Sequence, residues 1–112
     1  MSKTQLDVAA AVRLTGARYE EEAIVGRYSV DLIIPELKVA IEVDGPTHFT
    51  RTIPKRPLGP TVMKQRHLER AGWVVFSVNS DDWNAPDLWQ QRMDELRDLL
   101  FQKAQEQLDS KT

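Results

Sequence analysis

The stretch from Tyr28 to Phe49, YSVDLIIPELKVAIEVDGPTHF, constrains the fold of this chain more than any other feature. Its two β-branched runs alternate between apolar and other residues with a period of two, and the short segment 35–38 separates them, which is typical of a β-hairpin. Symmetric pairing across that segment places Asp31 opposite Glu42. The sequence therefore predicts two carboxylates side by side on one face of a sheet.

These opposed carboxylates need a compensating group, because like charges facing each other destabilise a sheet and burial raises the cost. Asp44 follows on the same face as Glu42. Hard divalent cations such as Mg²⁺ or Mn²⁺ bind carboxylate oxygens, so the candidate metal ligands are Asp31, Glu42 and Asp44. The alternative is an edge hairpin whose solvated acids discourage edge-to-edge pairing.

The length of 112 residues predicts one domain over residues 1–112. The chain has no cysteine, which excludes disulfides and thiolate zinc sites. It shows neither an apolar run long enough to cross a bilayer nor an N-terminal signal segment, so we expect an intracellular protein without a membrane partner or a targeting peptide. A fragment of a longer protein is equally compatible with this sequence.

Positive charge is concentrated in residues 51–70, which carry +5 although the whole chain carries −2. Such a segment beside an acidic cluster attracts phosphate, although a solvated basic loop without a partner remains the alternative. Trp83 is either a core anchor or a stacking platform for an unpaired base. The candidate nucleic-acid contacts are Arg51, Lys55, Arg56, Lys64, Arg66, His67, Arg70 and Trp83.

The order of predicted elements is helix, strand, strand, strand, helix, strand, helix, which indicates an α/β fold with a mixed sheet flanked by helices. The continuous apolar run 73–78 is typical of a central strand covered on both faces. In the first helix, the predicted packing face is Leu6, Ala9, Ala10 and Leu14. We expect helices over about 4–14, 61–71 and 85–105, an exposed edge strand over 18–25, and a frayed end beyond 105.

The runs VDLIIPELKVAIEVDGPTHF and LGPTVMKQRHLERAGWVVFSV, followed by DDW, resemble the RAP domain, an RNA-binding domain abundant in apicomplexans. The resemblance covers about residues 19–84. The pattern is also similar to very-short-patch-repair-type nucleases in the PD-(D/E)xK superfamily, which implies a restriction-endonuclease-like fold. RAP domains sit at the C-terminus of helical-repeat proteins of mitochondria and plastids, where they serve in RNA processing, ribosomal RNA maturation and translation.

The resemblance also implies roles for single residues. Asp31 matches the first metal-binding acid of the superfamily and Glu42 matches the second. Asp44 stands where the catalytic lysine is usual, which departs from the pattern. His48 matches a histidine of the patch-repair-like families, and Lys64 would supply the missing positive charge.

Together these observations predict an RNA-binding RAP-like module with an endonuclease-like fold, which acts in organellar RNA processing. Metal-dependent cleavage of RNA with Mg²⁺ or Mn²⁺ is left open, as is the oligomeric state. The alternatives are a DNA endonuclease of the patch-repair type and a catalytically inert protein-docking domain, since fold alone does not determine function.

Overall fold

The predicted order of elements is confirmed by a computed structural model, which describes residues 3–44 and 59–110. The described part forms a four-stranded mixed sheet with helices on both faces. The elements are α1 (Lys3–Leu14), β1 (Glu20–Val25), β2 (Tyr28–Ile34), β3 (Val39–Asp44), α2 (Gly59–Arg70), β4 (Val74–Asn79), a 3₁₀ turn (Ser80–Asn84) and α3 (Pro86–Ser110).

The register of the central hairpin is the predicted one. β2 and β3 are antiparallel, with Ile34 opposite Val39 and Leu32 opposite Ile41. The Leu37 N–H donates to the Ile34 carbonyl at 3.1 Å and closes the connecting turn. Asp31 precedes Leu32 on β2, and Glu42 follows Ile41 on β3. Because Leu32 lies opposite Ile41, this register places Asp31 opposite Glu42.

The sheet order is β1-β2-β3-β4, so β1 is an edge strand as predicted. β4 pairs in parallel with β3, and α2 forms the crossover between them. The prediction that this apolar run is a central strand was wrong, because β4 lies at the other edge of the sheet described here. Its apolar character comes from packing on both faces: Phe76 and Val78 contact the α1/α3 side, and Val75 packs on the α2 side.

Two hydrophobic clusters hold the layers together. The larger lies between the sheet and the helices α1 and α3, and the smaller joins Leu68 of α2 to Ala40 and Ile33 of the sheet. Each fully buried Leu, Ile or Val contributes about 1.5–3 kcal/mol. Since Glu42 and Asp44 share the face of Ala40 on β3, α2 covers the carboxylates. The larger cluster comprises Val8, Ala9, Val12, Leu32, Ile34, Val39, Ile41, Phe76, Val78, Leu96 and Leu100.

Both terminal helices differ from the prediction. In α1 the predicted face is confirmed at Ala9, which is buried, but it was wrong at the two leucines, because Leu6 is 51% exposed and Leu14 is 90% exposed. Val8 and Val12, which were not in the predicted face, are buried beside Ala9. α3 continues to Ser110 instead of fraying after residue 105. Contacts of the last turns account for this extension, since Gln107 donates to the Glu36 carbonyl and an ion pair joins Lys103 to Glu106.

Arg92 fixes α3 against the edge strand β4. Its Nε donates to the Ser77 carbonyl at 3.1 Å, and its guanidinium lies 3.9 Å from the centre of the Phe76 ring. Over the described ranges, none of the helices combines the length and the apolar character that crossing a membrane requires.

Candidate functional site

The predicted acid pair exists on the face of the hairpin beneath α2. Asp31 Oδ2 accepts the Val43 N–H at 2.7 Å, and the Asp31 carboxyl is close enough to Glu42 to raise the pKa of Glu42. On the opposite side of the sheet, Gln5 of α1 donates to the Asp31 carbonyl. The local backbone therefore fixes the position of Asp31 before any ligand is considered.

Lys64 of α2 forms an ion pair with Glu42 of this acid pair. It lies in the second turn of α2, and its ammonium contacts Glu42 Oε1. The Lys64 side chain is 24% exposed and that of Glu42 is 11% exposed, so the ion pair is largely shielded from water. The crossover helix thus brings together three of the predicted site residues: Asp31, Glu42 and Lys64.

The pKa of Glu42 is raised from its ordinary value of 4.5 to about 7. Burial is the largest cause, because it disfavours the charged carboxylate. The hydrogen bond and charge of Lys64 oppose the rise, and the charge of Asp31 adds to it. A carboxyl with this pKa is only partly ionised near neutral pH, so Glu42 can hold a proton beside the Asp31 carboxyl.

Asp44 ends β3 and is buried, with 2% of its surface exposed. It lies opposite Asn79 of β4 in the parallel register. Within residues 3–44 and 59–110, no group of three or more His, Cys, Asp or Glu side chains is arranged so that it could hold a metal ion. The Asp31 and Glu42 oxygens have the chemistry that Mg²⁺ or Mn²⁺ requires, but a cation at Glu42 would compete with the ammonium of Lys64.

The predicted basic residues of α2 divide into two sets. Lys64 and His67 point towards the sheet, where Lys64 contacts Glu42 and the His67 ring lies 5.0 Å from the ring of Tyr28. Arg66 and Arg70 are exposed. The helix therefore presents Arg66 and Arg70 to solvent, whereas Lys64 and His67 contact other side chains of the protein.

Several predicted site residues lie outside what the structure describes. His48, Arg51, Lys55 and Arg56 belong to residues 45–58, and the side chain of Trp83 is not described either. Their roles remain predictions.

Tyr28 and Arg27 were not among the predicted site residues, although they contact each other beside His67. The glycine at position 26 is a sequence signal of a tight turn, and in the structure Gly26 has a φ of +62°. The sequence does not show that α2 packs against this turn.

Comparisons with known proteins agree with the geometry. The catalytic domain of the homing endonuclease I-Bth0305I superposes with a TM-score of 0.69 over 92% of this chain and 98% of that domain, at 16% identity, which shows a shared fold. A chloroplastic RAP domain-containing protein of Oryza sativa subsp. japonica is 32% identical over 99 residues, which cover 88% of this chain but 15% of the rice protein. The model of the RAP domain matches residues 41–99, slightly more than half of the chain. The chain therefore belongs to the RAP domain family.

Proposed function

We propose that this RAP domain is an RNA-binding module of organellar RNA processing, built on an endonuclease-like scaffold. Its place of action is the plastid, in line with the name of the rice relative. The observation that carries the proposal is that the basic side chains of α2 point in two directions. Lys64 neutralises the acid pair inside the protein, whereas Arg66 and Arg70 of the same helix are exposed to solvent.

Binding to RNA requires an accessible cationic surface more than it requires a reactive centre. Arg66 and Arg70 are four residues apart on α2 and therefore lie on one side of the helix. Guanidinium groups bind phosphate oxygens in a bidentate manner. These two arginines are consequently the best-placed phosphate contacts in the described part of the chain.

Reversing both charges tests this binding surface. We expect the Arg66→Glu/Arg70→Glu variant to bind single-stranded RNA more weakly and with a slope of log affinity against log salt reduced by about 1.4, because two phosphate contacts are lost. Fluorescence anisotropy over a salt series measures both quantities. Arg18→Glu is the matched control, since Arg18 is exposed but precedes β1 and lies outside α2. Equal effects of the two changes, or equal wild-type affinity for RNA and DNA of one sequence, would contradict the proposal.

A metal-dependent endoribonuclease is the second candidate. The observation that favours it is the convergence of Asp31, Glu42 and Lys64 in a fold shared with an endonuclease catalytic domain. In that case Asp31 and Glu42 hold Mg²⁺ or Mn²⁺, which would activate water and stabilise negative charge on the phosphate. Glu42 would hold a proton near neutral pH, and Lys64, once released from Glu42, would approach the phosphate.

A further inference from the structure

We propose that the neighbouring side chains of Arg27, Tyr28 and His67 form a platform that binds an unpaired RNA base. The inference rests on the proposed function and deepens it, because it names single-stranded RNA as the ligand and a second contact surface beside α2. The observations come from the β1–β2 turn and from α2: Arg27 and Tyr28 were not among the predicted site residues, whereas His67 was one of the predicted nucleic-acid contacts.

Tyr28 contacts both of the other side chains. The Arg27 guanidinium lies 5.4 Å from the centre of the Tyr28 ring, and its Nη2 donates to the Tyr28 hydroxyl at 3.4 Å. The His67 ring lies 5.0 Å from the Tyr28 ring at an angle of 55°. Arg27 is exposed, whereas Tyr28 and His67 are half-buried, so the guanidinium forms the layer nearest to solvent.

Close packing of the β1–β2 turn against α2 holds these three side chains together. A β-carbon at Gly26 would lie 2.7 Å from His67 Nε2, so the turn approaches the helix as closely as a glycine allows. Gly26 has a left-handed φ of +62°, and two residues later the Tyr28 ring contacts the same histidine. The surface is therefore pre-organised, which lowers the entropy cost of binding.

Two other cation–aromatic pairs occur among the described residues, and their aromatic rings have structural roles. Arg92 lies over Phe76, which is 7% exposed and belongs to the larger cluster. Lys38 lies over Trp73, which packs against the smaller cluster. Tyr28 belongs to neither cluster. Of these three cation–aromatic pairs, the pair of Arg27 and Tyr28 is therefore the one suited to an external ligand.

The chemistry of the platform matches an unpaired base. Arginine guanidinium planes and aromatic rings stack on bases of single-stranded RNA, whereas bases inside a duplex are already stacked on each other. Arg70 lies three residues after His67 on α2, so an exposed guanidinium stands beside the platform for the adjoining phosphate. One base contact and one backbone contact would then be made by neighbouring side chains.

The test separates stacking from charge. Arg27→Lys keeps the positive charge but removes the planar group, and Tyr28→Leu removes the ring beneath it. We expect each change to weaken binding of a labelled single-stranded RNA by roughly 5- to 100-fold. Binding of an abasic strand of the same length, and of a fully paired RNA, should change by less than about twofold, because they offer no free base. Anisotropy titrations provide these affinities.

Arg13→Lys is the matched control, because Arg13 is also exposed and its Nη1 donates to the Tyr19 hydroxyl at 3.3 Å. It should leave all three affinities within about twofold of wild type, and Tyr28→Phe should do the same, since its ring is kept. Wild-type binding of single-stranded RNA that neither Arg27→Lys nor Tyr28→Leu weakens would overturn the platform and leave the proposed function intact. Equal losses on the abasic strand would also overturn it. A wild-type protein without affinity for RNA would overturn both.

Discussion

Replacing Lys64 with methionine is expected to destabilise the fold by about 2–3 kcal/mol at about pH 8.5 and by about 1 kcal/mol at about pH 5. Methionine keeps the apolar stem but removes the charge that balances Glu42. At high pH the buried carboxylate then either stays ionised without its partner or takes up a proton, and both cost free energy. At low pH Glu42 is already protonated, so little is lost. Urea unfolding at the two pH values measures the difference.

Lys103→Met is the matched control for this experiment. Lys103 is 26% exposed, close to the 24% of Lys64, and it also contacts a glutamate, Glu106. The Glu106 side chain is 53% exposed, so its charge is stabilised by water. We expect Lys103→Met to cost less than about 0.5 kcal/mol at either pH. Equal losses for the two lysine variants, or a loss for Lys64→Met that does not grow with pH, would contradict a shielded ion pair.

The second large effect is the pH dependence that Glu42 imposes on stability. Its folded pKa of about 7 lies above the ordinary value of 4.5, so the folded protein binds this proton more tightly than the unfolded chain does. That stabilisation is complete below about pH 4.5 and is lost as the pH rises towards 7. With about 1.4 kcal/mol for each pKa unit, we expect wild type to lose about 2–3 kcal/mol relative to Glu42→Gln between about pH 5 and 8.

Glutamine is a suitable replacement because its amide has nearly the shape of a protonated carboxyl and carries no charge at any pH of the experiment. Glu106→Gln is the control, since Glu106 is largely exposed, and its stability difference from wild type should be nearly independent of pH. Unfolding free energies of the three proteins across the range test the effect. Parallel pH profiles for wild type and Glu42→Gln would show that the carboxyl is not buried as the structure has it.

The hairpin was predictable because its information is local. A period-two pattern and a short polar connection fix the strands and the register, and the pairing of Ile34 with Val39 follows from them. The acid pair is a consequence of that register. The family resemblance added the fold around the hairpin, which the superposition on an endonuclease domain now shows.

Features that depend on tertiary packing were not predictable in the same way. α1 has apolar residues on more than one side, and periodicity alone did not select Val8 and Val12 over Leu6 and Leu14. The apolar run of β4 indicates that both faces of the strand are buried. It does not distinguish a central strand from an edge strand, because an edge strand between two layers of helices is also buried on both faces.

The orientation of the basic side chains of α2 was not predictable either, because it also depends on tertiary packing. Lys64, His67 and Arg70 recur every three residues, which is compatible with a solvated face. The crossover instead turns Lys64 onto Glu42 and His67 onto Tyr28. No spacing in the sequence distinguishes an inward cation from an outward one, because the partner lies on a strand of the sheet beneath the helix.

According to the proposed function, this domain binds RNA on a scaffold whose acid pair is engaged within the protein. To test this, labelled single-stranded RNA is incubated with wild type, Asp31→Asn and Glu42→Gln, in Mn²⁺ and in EDTA, and binding and cleavage are measured together. We expect all three proteins to bind with similar affinity in either solution and to leave the RNA intact. Cleavage that requires Mn²⁺ and is lost in both variants would contradict it and make the acid pair a working nuclease site.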